Sequence, residues 1–353
     1  MRITVSLLIA LPCVVIAESN AYCQGIFAST KENCEKFDFG SLRDSDRCTN
    51  STDTSNTTFH GTPLANCTTF YDITNLPNQP IDAHTTKMAL LITNVFENSN
   101  TEMGYAAVQK LGDCRGYTCG YIGFTTGTND AWSVVKQYTK RKADNDLQKY
   151  LPELARLSAF EFGDPRRDDT ANLVGYPEAW KDAACKDPVF VRTQLDVGNA
   201  MYLKPAMKYA ASVDVHSNLG KFIFYDTIIQ HGWQYVEPQI NLPRILELTG
   251  PRKHDESEKS YLTRFITIRR QLACCFPGDV WNESSDRESD LQDLVNDWDR
   301  NKDLEHSVHL TIFNVTVTGT EDMTYDMQHC KKEFNELPAP IDLPIPDTCP
   351  NPL

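Results

Sequence analysis

Glu97 and Asp113 are the two side chains whose types and spacing most directly suggest chemistry. They lie sixteen residues apart, and Asp113 is followed closely by Arg115 and Thr118. A protonated carboxyl can donate a proton to a leaving group, and an ionised one can take a proton from water. The set therefore predicts a hydrolase site in which the two acids work as a pair, with an arginine and a hydroxyl beside the base.

An amphipathic helix is predicted to carry Glu97 at its C-terminal end. Either Asp82 or Thr85 is placed to cap the start of this helix. The apolar residues that recur at helical spacing are Met88, Leu91, Ile92 and Val95. The helix dipole disfavours an anion at a C-terminus, which suits a proton donor, although a solvated glutamate at a helix end is the alternative. Turn formers between Asn98 and Gly104 then separate Glu97 from the element that holds Asp113.

The glycine-rich run 112–124 predicts a loop that enters a short strand or hairpin, because helices tolerate repeated glycine poorly. Regular strand alternation would place Asp113, Arg115 and Tyr117 on one face, with Thr118 on the other unless the loop twists. An arginine this close favours the ionised carboxylate that a base requires. The alternative is an Asp113–Arg115 pair that only pins a turn.

Several segments, taken in order, resemble the glycoside hydrolase family 46 chitosanases. They are Phe96–Ser99, Leu111–Thr118, Gly123–Asp130, Tyr225–Gly232 and Tyr261–Arg269. The resemblance covers residues from about 80 to about 320. It implies an α+β, mainly α-helical, lysozyme-like fold of two lobes, with a small β-sheet and a substrate cleft between the lobes.

The resemblance also implies an activity, namely endo-hydrolysis of chitosan, the β-1,4-linked glucosamine polymer, with inversion of configuration. Glu97 matches the general acid of the family, Asp113 the general base, and Thr118 the hydroxyl that orients the attacking water. Inverting enzymes hold their two carboxyls far enough apart to admit that water.

Further positions are implied by the resemblance. The expected substrate-binding residues are Arg115, Asp130, Tyr105 and His231, and the expected members of a buried charge network that supports the site are Asp226 and Arg269. A carboxylate such as Asp130 is the natural partner of a sugar ammonium. For His231, which precedes a glycine, a role at a helix end is the alternative to a place in the cleft.

Composition divides the chain into four parts. Residues 1–17 have the basic start, apolar middle and small-residue end of a signal peptide. Residues 18–79 form a Cys/Thr/Ser-rich extension, 80–330 the chitosanase-like catalytic domain, and 331–353 a proline-rich tail that should lie extended against the surface. These features predict a secreted, extracellular protein without a membrane-spanning segment.

The net charge and the residue composition restrict the classes of partner that we expect. A net charge of −14 disfavours nucleic acid and would attract a cationic polysaccharide such as chitosan, the partner that the resemblance implies. A monomer is expected. No metal site and no cofactor are expected. The acidic run Glu283–Asp303, with Leu291, Leu294 and Trp298 near helical spacing, predicts a solvated helix face. Other helices are predicted over Leu147–Phe162, Val189–Val213 and Leu219–Gln230.

Cysteines and sequons support a secretory route. Twelve cysteines are present, and Cys13 would leave with the signal peptide, so that an odd eleven remain and one should be unpaired within the chain. Cys114 and Cys119 flank the predicted water-holding threonine, either as a disulfide or as two buried thiols. The Asn-X-Ser/Thr sequons begin at Asn50, Asn56, Asn66, Asn282 and Asn314.

Three hypotheses follow. The first is an active inverting endo-chitosanase. The second is a hydrolase of a related, partly acetylated amino-sugar polymer, which rates on polymers of graded acetylation would distinguish. The third is a catalytically silent secreted sugar-binding protein, which would bind chitosan without releasing reducing ends.

Overall fold

The structure, a computed structural model, describes Cys23, Cys34, Phe37 and residues 73–112, 115–160, 164–233, 239–276 and 280–346. Asp113 and Cys114 lie outside the described residues. So do the predicted signal peptide, Cys349 and the three sequons that begin at Asn50, Asn56 and Asn66.

Helices make up most of the described chain. The α-helices are α1 (Ala83–Asn98), α2 (Asp130–Arg141), α3 (Leu151–Ser158), α4 (Tyr176–Lys186), α5 (Pro188–Gly198), α6 (Lys204–Ser212), α7 (Asn218–His231), α8 (Leu242–Thr249), α9 (Glu258–Cys275), α10 (Val280–Glu283), α11 (Arg287–Asn296) and α12 (Trp298–Asn301). Short 3-10 turns span Gln148–Tyr150 and Pro165–Asp168, and a π-helical turn, Asn199–Leu203, joins α5 to α6. The single helix predicted over Val189–Val213 is therefore interrupted by a π turn.

Helix α1 forms where the apolar pattern predicts it. The Asp82 side chain accepts a hydrogen bond from the backbone N–H of Thr85 at 2.8 Å and caps the helix. The helix ends at Ser99, whose φ of 59° is left-handed, and the Ser99 N–H donates to the Val95 carbonyl. The apolar stripe from Met88 to Val95 is buried, which leaves Glu97 in the last turn facing away from the core.

Helix α7 lies at the centre of the fold. Nearly every residue from Leu219 to Ile228 is buried, so the helix is covered on all sides, as its continuous apolar sequence requires. It packs against α1, α6, α8 and α11. Because Asp226 and His231 are on this helix, two of the predicted site residues are carried by the most enclosed element.

A small antiparallel sheet is formed by β1 (Val108–Lys110), β2 (Tyr117–Cys119) and β3 (Phe124–Thr125), in that order. Thr118 pairs with Gln109 on one side and with Thr125 on the other. Thr118 is thus held on the central strand. The predicted strand or hairpin in the glycine-rich run is confirmed.

A second hairpin, β4 (Val308–Leu310) with β5 (Val315–Val317), precedes the tail. Residues 331–346 contain no helix or strand. The Arg192 Nε donates to the Pro338 carbonyl at 2.9 Å, and the Ile341 N–H donates to Asp196 at 3.1 Å. The tail therefore lies extended along α5, as predicted.

The first turn of α11 departs from prediction. Arg287, Glu288 and Asp290 are buried, so the predicted solvated face of the acidic run is wrong at this end of the run. Asp290 accepts hydrogen bonds from the Ile312 N–H at 3.0 and 3.2 Å, which fixes the β4–β5 hairpin against α11. Buried acids of this kind have structural partners that the local sequence does not reveal.

The predicted mainly helical α+β class with small sheets is confirmed, and a lysozyme-like arrangement is consistent with the structure. None of the helices in the described part of the chain is long and apolar enough to cross a membrane.

Candidate active site

A cavity of about 330 Å³ is lined by residues from α1, the three-stranded sheet, the π turn, α7, α10 and α11. Five of the residues predicted from sequence line it, namely Glu97, Arg115, Thr118, Asp130 and His231. The fold therefore brings together side chains that are up to 134 residues apart in sequence.

Glu97 is held at the cavity by an ion pair. The Arg287 Nη2 lies 2.7 Å from the Glu97 Oε1 and also donates to the Phe96 carbonyl at 3.3 Å. The Glu97 side chain keeps about a third of its surface exposed (32%), whereas that of Arg287 is 5% exposed. The buried arginine thus fixes one carboxylate oxygen of an acid that can still meet a substrate.

Behind this pair lies a buried network of charges. The Asp226 carboxylate accepts from Arg269 Nη2 at 2.7 Å and lies 3.4 Å from Arg287 Nη1, and both Asp226 and Arg269 have no exposed side-chain surface. Glu288 lies 3.1 Å from Arg269 Nε. Burial raises the pKa of Glu288, and the two guanidiniums oppose that rise. Burial works against the charged form of Arg287, but Glu97 and Asp226 raise its pKa overall.

Asp226 and Arg269, the residues expected to support the site, both belong to this network. Arg269 also donates to Thr227 Oγ1 at 2.9 Å and to Gln230 Oε1 at 3.1 Å, so its guanidinium is held by α7 on several sides. Gln230 itself lines the cavity. Arg269 consequently connects the buried charges to the cavity wall.

The loop before β2 turns Arg115 and Thr118 toward the same cavity. Gly116 has a φ of +75°, and a Cβ placed there would lie 2.1 Å from Thr126 Oγ1. The Gly116 N–H donates to Asp168 Oδ1 at 2.9 Å, and the Tyr117 N–H donates to Thr126 Oγ1 at 3.0 Å. This glycine turn breaks the strand alternation, which explains why Arg115 and Thr118 do not face opposite ways.

The Thr118 hydroxyl lies at the cavity. Its Oγ1 is buried and has no hydrogen-bond partner within the part of the chain that the structure describes. An unpaired buried hydroxyl is costly, so such a group is expected to bind a water or a substrate. The predicted base, Asp113, lies outside the described residues.

Asp130 begins α2 as a buried carboxylate. Its Oδ1 accepts from the Thr125 N–H at 2.7 Å and from Thr128 Oγ1 at 2.8 Å, and its Oδ2 accepts from the Tyr202 hydroxyl at 2.9 Å. Burial raises the pKa of Asp130, and the hydrogen bond from Thr128 is the largest opposing effect. The carboxylate therefore stands fixed in the cavity wall, where a cationic group of a ligand would favour its ionised form.

His231 is the last residue of α7, and its ring lines the cavity rather than capping the helix. The ring stacks on Trp281, with centroids 4.7 Å apart and planes 28° apart. Neither ring nitrogen has a hydrogen-bond partner among the described residues. Burial lowers the pKa of His231 well below its usual value, and Arg269 and Arg287 lower it further. A neutral imidazole at the wall can donate a hydrogen bond from one nitrogen and accept one at the other.

Two sequence-based expectations require correction. Tyr105 is fully buried in the core beside Tyr121, and its hydroxyl donates to the Met323 carbonyl at 2.8 Å, so it does not reach the cavity as a substrate-binding residue. Cys119 is a buried free cysteine, so the alternative of a Cys114–Cys119 disulfide is wrong. Burial raises the pKa of the Cys119 thiol well above its usual value, which makes it a poor nucleophile.

Sequence reasoning missed Arg287 and Trp281. Arg287 lies four and seven residues before Leu291 and Leu294, which places it on the apolar face of α11. That spacing was the available signal for a buried arginine. Trp281 follows a Pro-Gly-Asp turn sequence at 277–279, and no periodic pattern indicates which way its ring points.

Comparison with known proteins identifies relatives. The family model of glycosyl hydrolase family 46 matches residues 91–305. A chitosanase of Bacillus subtilis (strain 168) is 37% identical over 227 residues, which are 62% of this chain and 79% of that protein. A chitosanase of Streptomyces sp. (strain N174) is 34% identical over 155 residues, or 43% of this chain and 52% of that protein.

Solved structures agree with these matches. The native chitosanase from Bacillus subtilis MY002 aligns with a TM-score of 0.58 at 33% identity and covers 68% of this chain and 99% of that chain. A mutant of it was solved in complex with 6 GlcN. The Gynuella sunshinyii chitosanase, in complex with chitotetraose, aligns with a TM-score of 0.60 at 30% identity over 68% of this chain and 98% of that one.

Proposed function

This chain belongs to glycosyl hydrolase family 46, and we propose that it is an endo-chitosanase that hydrolyses β-1,4 linkages between glucosamine units with inversion of configuration. The observation that carries the proposal is the cavity in which Glu97, Arg115, Thr118, Asp130 and His231 meet. The relatives named as chitosanases supply the substrate class.

In the proposed reaction Glu97 donates its proton to the glycosidic oxygen as the bond from that oxygen to C1 breaks. Asp113 takes a proton from a water whose oxygen bonds to C1 from the opposite face, so a β-linkage yields an α-anomer. The Thr118 hydroxyl holds that water. Its buried oxygen, unpaired among the described residues, supports this role.

The proposal gives Asp130 a contact with a sugar ammonium. Chitosan carries its charge on the amine that distinguishes it from chitin, and a buried carboxylate in the wall recognises that charge. Arg115 would hold the base or a substrate hydroxyl, and His231 would hydrogen-bond the sugar. The net charge of −14 would also attract a polycation over longer range.

We further propose that the protein is secreted and monomeric. The disulfides Cys23–Cys274, Cys34–Cys275 and Cys185–Cys330 support an oxidising compartment. Sequencing the N-terminus of protein from the culture medium and measuring its mass by light scattering test these two points. Retention of residues 1–17 in the mature protein would contradict the signal peptide.

Two acid variants test the mechanism. Glu97→Gln and Asp113→Asn should each lower kcat on chitosan by about 10²-fold or more, because each removes half of the acid and base pair. Glu247→Gln and Asp182→Asn are matched controls, since their side chains are 68% and 63% exposed and neither residue lines the cavity. Near-wild-type turnover in either Glu97→Gln or Asp113→Asn would refute the assignment.

Product analysis tests the substrate and the stereochemistry. Proton NMR of a fresh digest should show the α-anomer at the new reducing end, and a β-anomer would contradict inversion. Rates on polymers of graded acetylation should fall as free amines are lost. A rate that rises with acetylation would favour the related amino-sugar polymer as substrate.

A further inference from the structure

Two adjacent cysteines, Cys274 and Cys275, end helix α9, and each forms a disulfide with a cysteine near the N-terminus. Cys23 pairs with Cys274 and Cys34 with Cys275, across sequence separations of 251 and 241 residues. The family match, residues 91–305, contains the two helix cysteines but neither of their partners. Cys23 and Cys34 are therefore bound covalently, at two consecutive positions, to the region that the family model matches.

The Cys23–Cys274 disulfide contacts the short stretch Asn282–Ser285, at the end of α10. The Cys23 Sγ is 3.2 Å from the Ser285 Oγ and 3.9 Å from the Asn282 carbonyl oxygen. The Ser285 hydroxyl donates to the Asn282 carbonyl at 2.8 Å, and a disulfide sulfur carries no proton, so the approach of Cys23 Sγ to Ser285 Oγ is a packing contact. Cys23 and Ser285 are fully buried, so this contact has no solvent between its partners.

The front of the same stretch faces the cavity. Trp281 and Ser284 line it, and Trp281 stacks on His231. Ser284 Oγ accepts a hydrogen bond from Gln230 Nε2 at 3.0 Å. Phe276, the residue after Cys275, packs edge-on against Trp281 with ring centroids 6.3 Å apart. A path of direct contacts thus joins each disulfide to one wall of the cavity, which we call the Trp281 wall (Trp281 and Ser284).

We propose that the two N-terminal disulfides position the Trp281 wall for substrate, so that Cys23, Cys34, Cys274 and Cys275 are positioning residues for this cleft. A cross-link reduces the number of conformations available to the segments that it joins. Here it reduces the conformations available to the Trp281 wall. This inference rests on the proposed function for the identity of the ligand.

The proposal predicts an effect on binding more than on the chemical step. Glu97 and Thr118 are carried by α1 and β2, whereas the Cys34–Cys275 disulfide reaches the cavity through Phe276 and Trp281. Losing the Cys34–Cys275 disulfide should therefore raise KM for glucosamine oligomers and leave kcat nearly unchanged. The Cys23–Cys274 disulfide contacts Ser285, two residues before the Arg287 that holds Glu97, so its loss should affect kcat as well. A purely structural role would lower the melting temperature without this split.

The main variant is Cys34→Ser with Cys275→Ser in the full-length chain. Its control is Cys185→Ser with Cys330→Ser, because both pairs are half-buried and the second joins α4 to the tail without contributing to the cavity lining. We expect KM for a glucosamine hexamer to rise about tenfold in the first variant, with kcat within about twofold of wild type, and no change of KM in the control. A wild-type KM in the first variant, or an equal rise in the control, would overturn the proposal.

The buried pair gives an independent test. Cys23→Ala with Cys274→Ala should raise KM at least as much, provided that circular dichroism shows a folded protein; if it does not fold, the half-buried pair decides. In a Trp281→Ala background, removing Cys34–Cys275 should add little to KM, because both changes act on one wall. Fully additive effects would overturn the path through Trp281.

Binding separates this inference from the proposed function. Calorimetric titration of the hexamer into Glu97→Gln protein, with and without the Cys34–Cys275 disulfide, reports on the wall without turnover. A weaker Kd without the disulfide supports the proposal, and an equal Kd overturns it. Absence of reducing ends from wild-type protein on chitosan would instead refute the enzyme assignment alone.

Discussion

Replacing Arg287 should expose how strongly the buried charges hold the active site. Arg287→Met keeps the unbranched apolar part of the side chain and removes the guanidinium, so that the loss of charge is the main change. Asp226, with no exposed side-chain surface, would lose a partner at 3.4 Å, and Glu97 would lose a partner at 2.7 Å.

The size of the effect follows from these contacts. Breaking a buried ion pair by removing one partner costs about 3–5 kcal/mol. Asp226 keeps Arg269 at 2.7 Å, so we expect the lower end of that range. For a domain of this size a loss of about 3 kcal/mol corresponds to a fall in Tm of roughly 6–12 °C. Glu97 is a third exposed and adds little to that loss.

Thermal unfolding and turnover on chitosan measure the two consequences. Arg244→Met is the control, because the Glu247 side chain that pairs with Arg244 is exposed. This ion pair should contribute less than about 1 kcal/mol to the free energy of unfolding. Asp226→Asn removes the buried anion, so Arg287→Met should cost less in that background than in wild type. A Tm for Arg287→Met within about 2 °C of wild type, or full additivity with Asp226→Asn, would refute the reasoning.

Three further outcomes are expected. Thr118→Val should lower kcat by about 10²-fold with little change in Tm, since the hydroxyl has no partner among the described residues, and Thr118→Ser should restore much of the rate. The pKa of His231 is lowered in the folded protein, so below about pH 6.5 the unfolded chain binds a proton at this residue and the folded chain does not. The free energy of unfolding therefore falls as pH falls, and His231→Asn should flatten the decrease in Tm between about pH 7 and about pH 5. In protein secreted from a eukaryotic host, Asn314→Gln should lower the mass by that of a glycan, because Asn314 is exposed at a hairpin tip. Asn282→Gln should not, because Asn282 is 8% exposed. A glycan found on Asn282 would contradict this.

Local patterns predicted the elements that carry the acid and the hydroxyl. Helix α1 follows from an apolar stripe and a capping aspartate that lie within a few residues of each other. The sheet follows from glycines that exclude a helix between 112 and 124. Such features depend on near neighbours, so the sequence contains all the information that they need.

Features that depend on distant partners were not predictable in the same way. Tyr105 carries no local sign of its environment, and its carbonyl and hydroxyl are bound by Trp180, Gln194 and Met323 from three other parts of the chain. The same holds for Cys119, whose burial and lack of a disulfide follow from packing rather than from its spacing to another cysteine.

Arg287 shows why charge patterns mislead at this site. A mixture of acidic, basic and apolar residues on a helix usually indicates a solvated face. Here the Arg287 side chain is 5% exposed, because Asp226 and Glu97 offset its charge. These two acids lie 61 and 190 residues away in the sequence. Since its positive charge is offset inside the protein, Arg287 can fix the acid without presenting a repulsive cation to a cationic polymer. Asp130 lines the same cavity as a buried carboxylate whose hydrogen bonds come from neutral donors. In the proposed enzyme the Arg287 guanidinium would therefore hold the acid, and the Asp130 carboxylate would recognise a sugar amine.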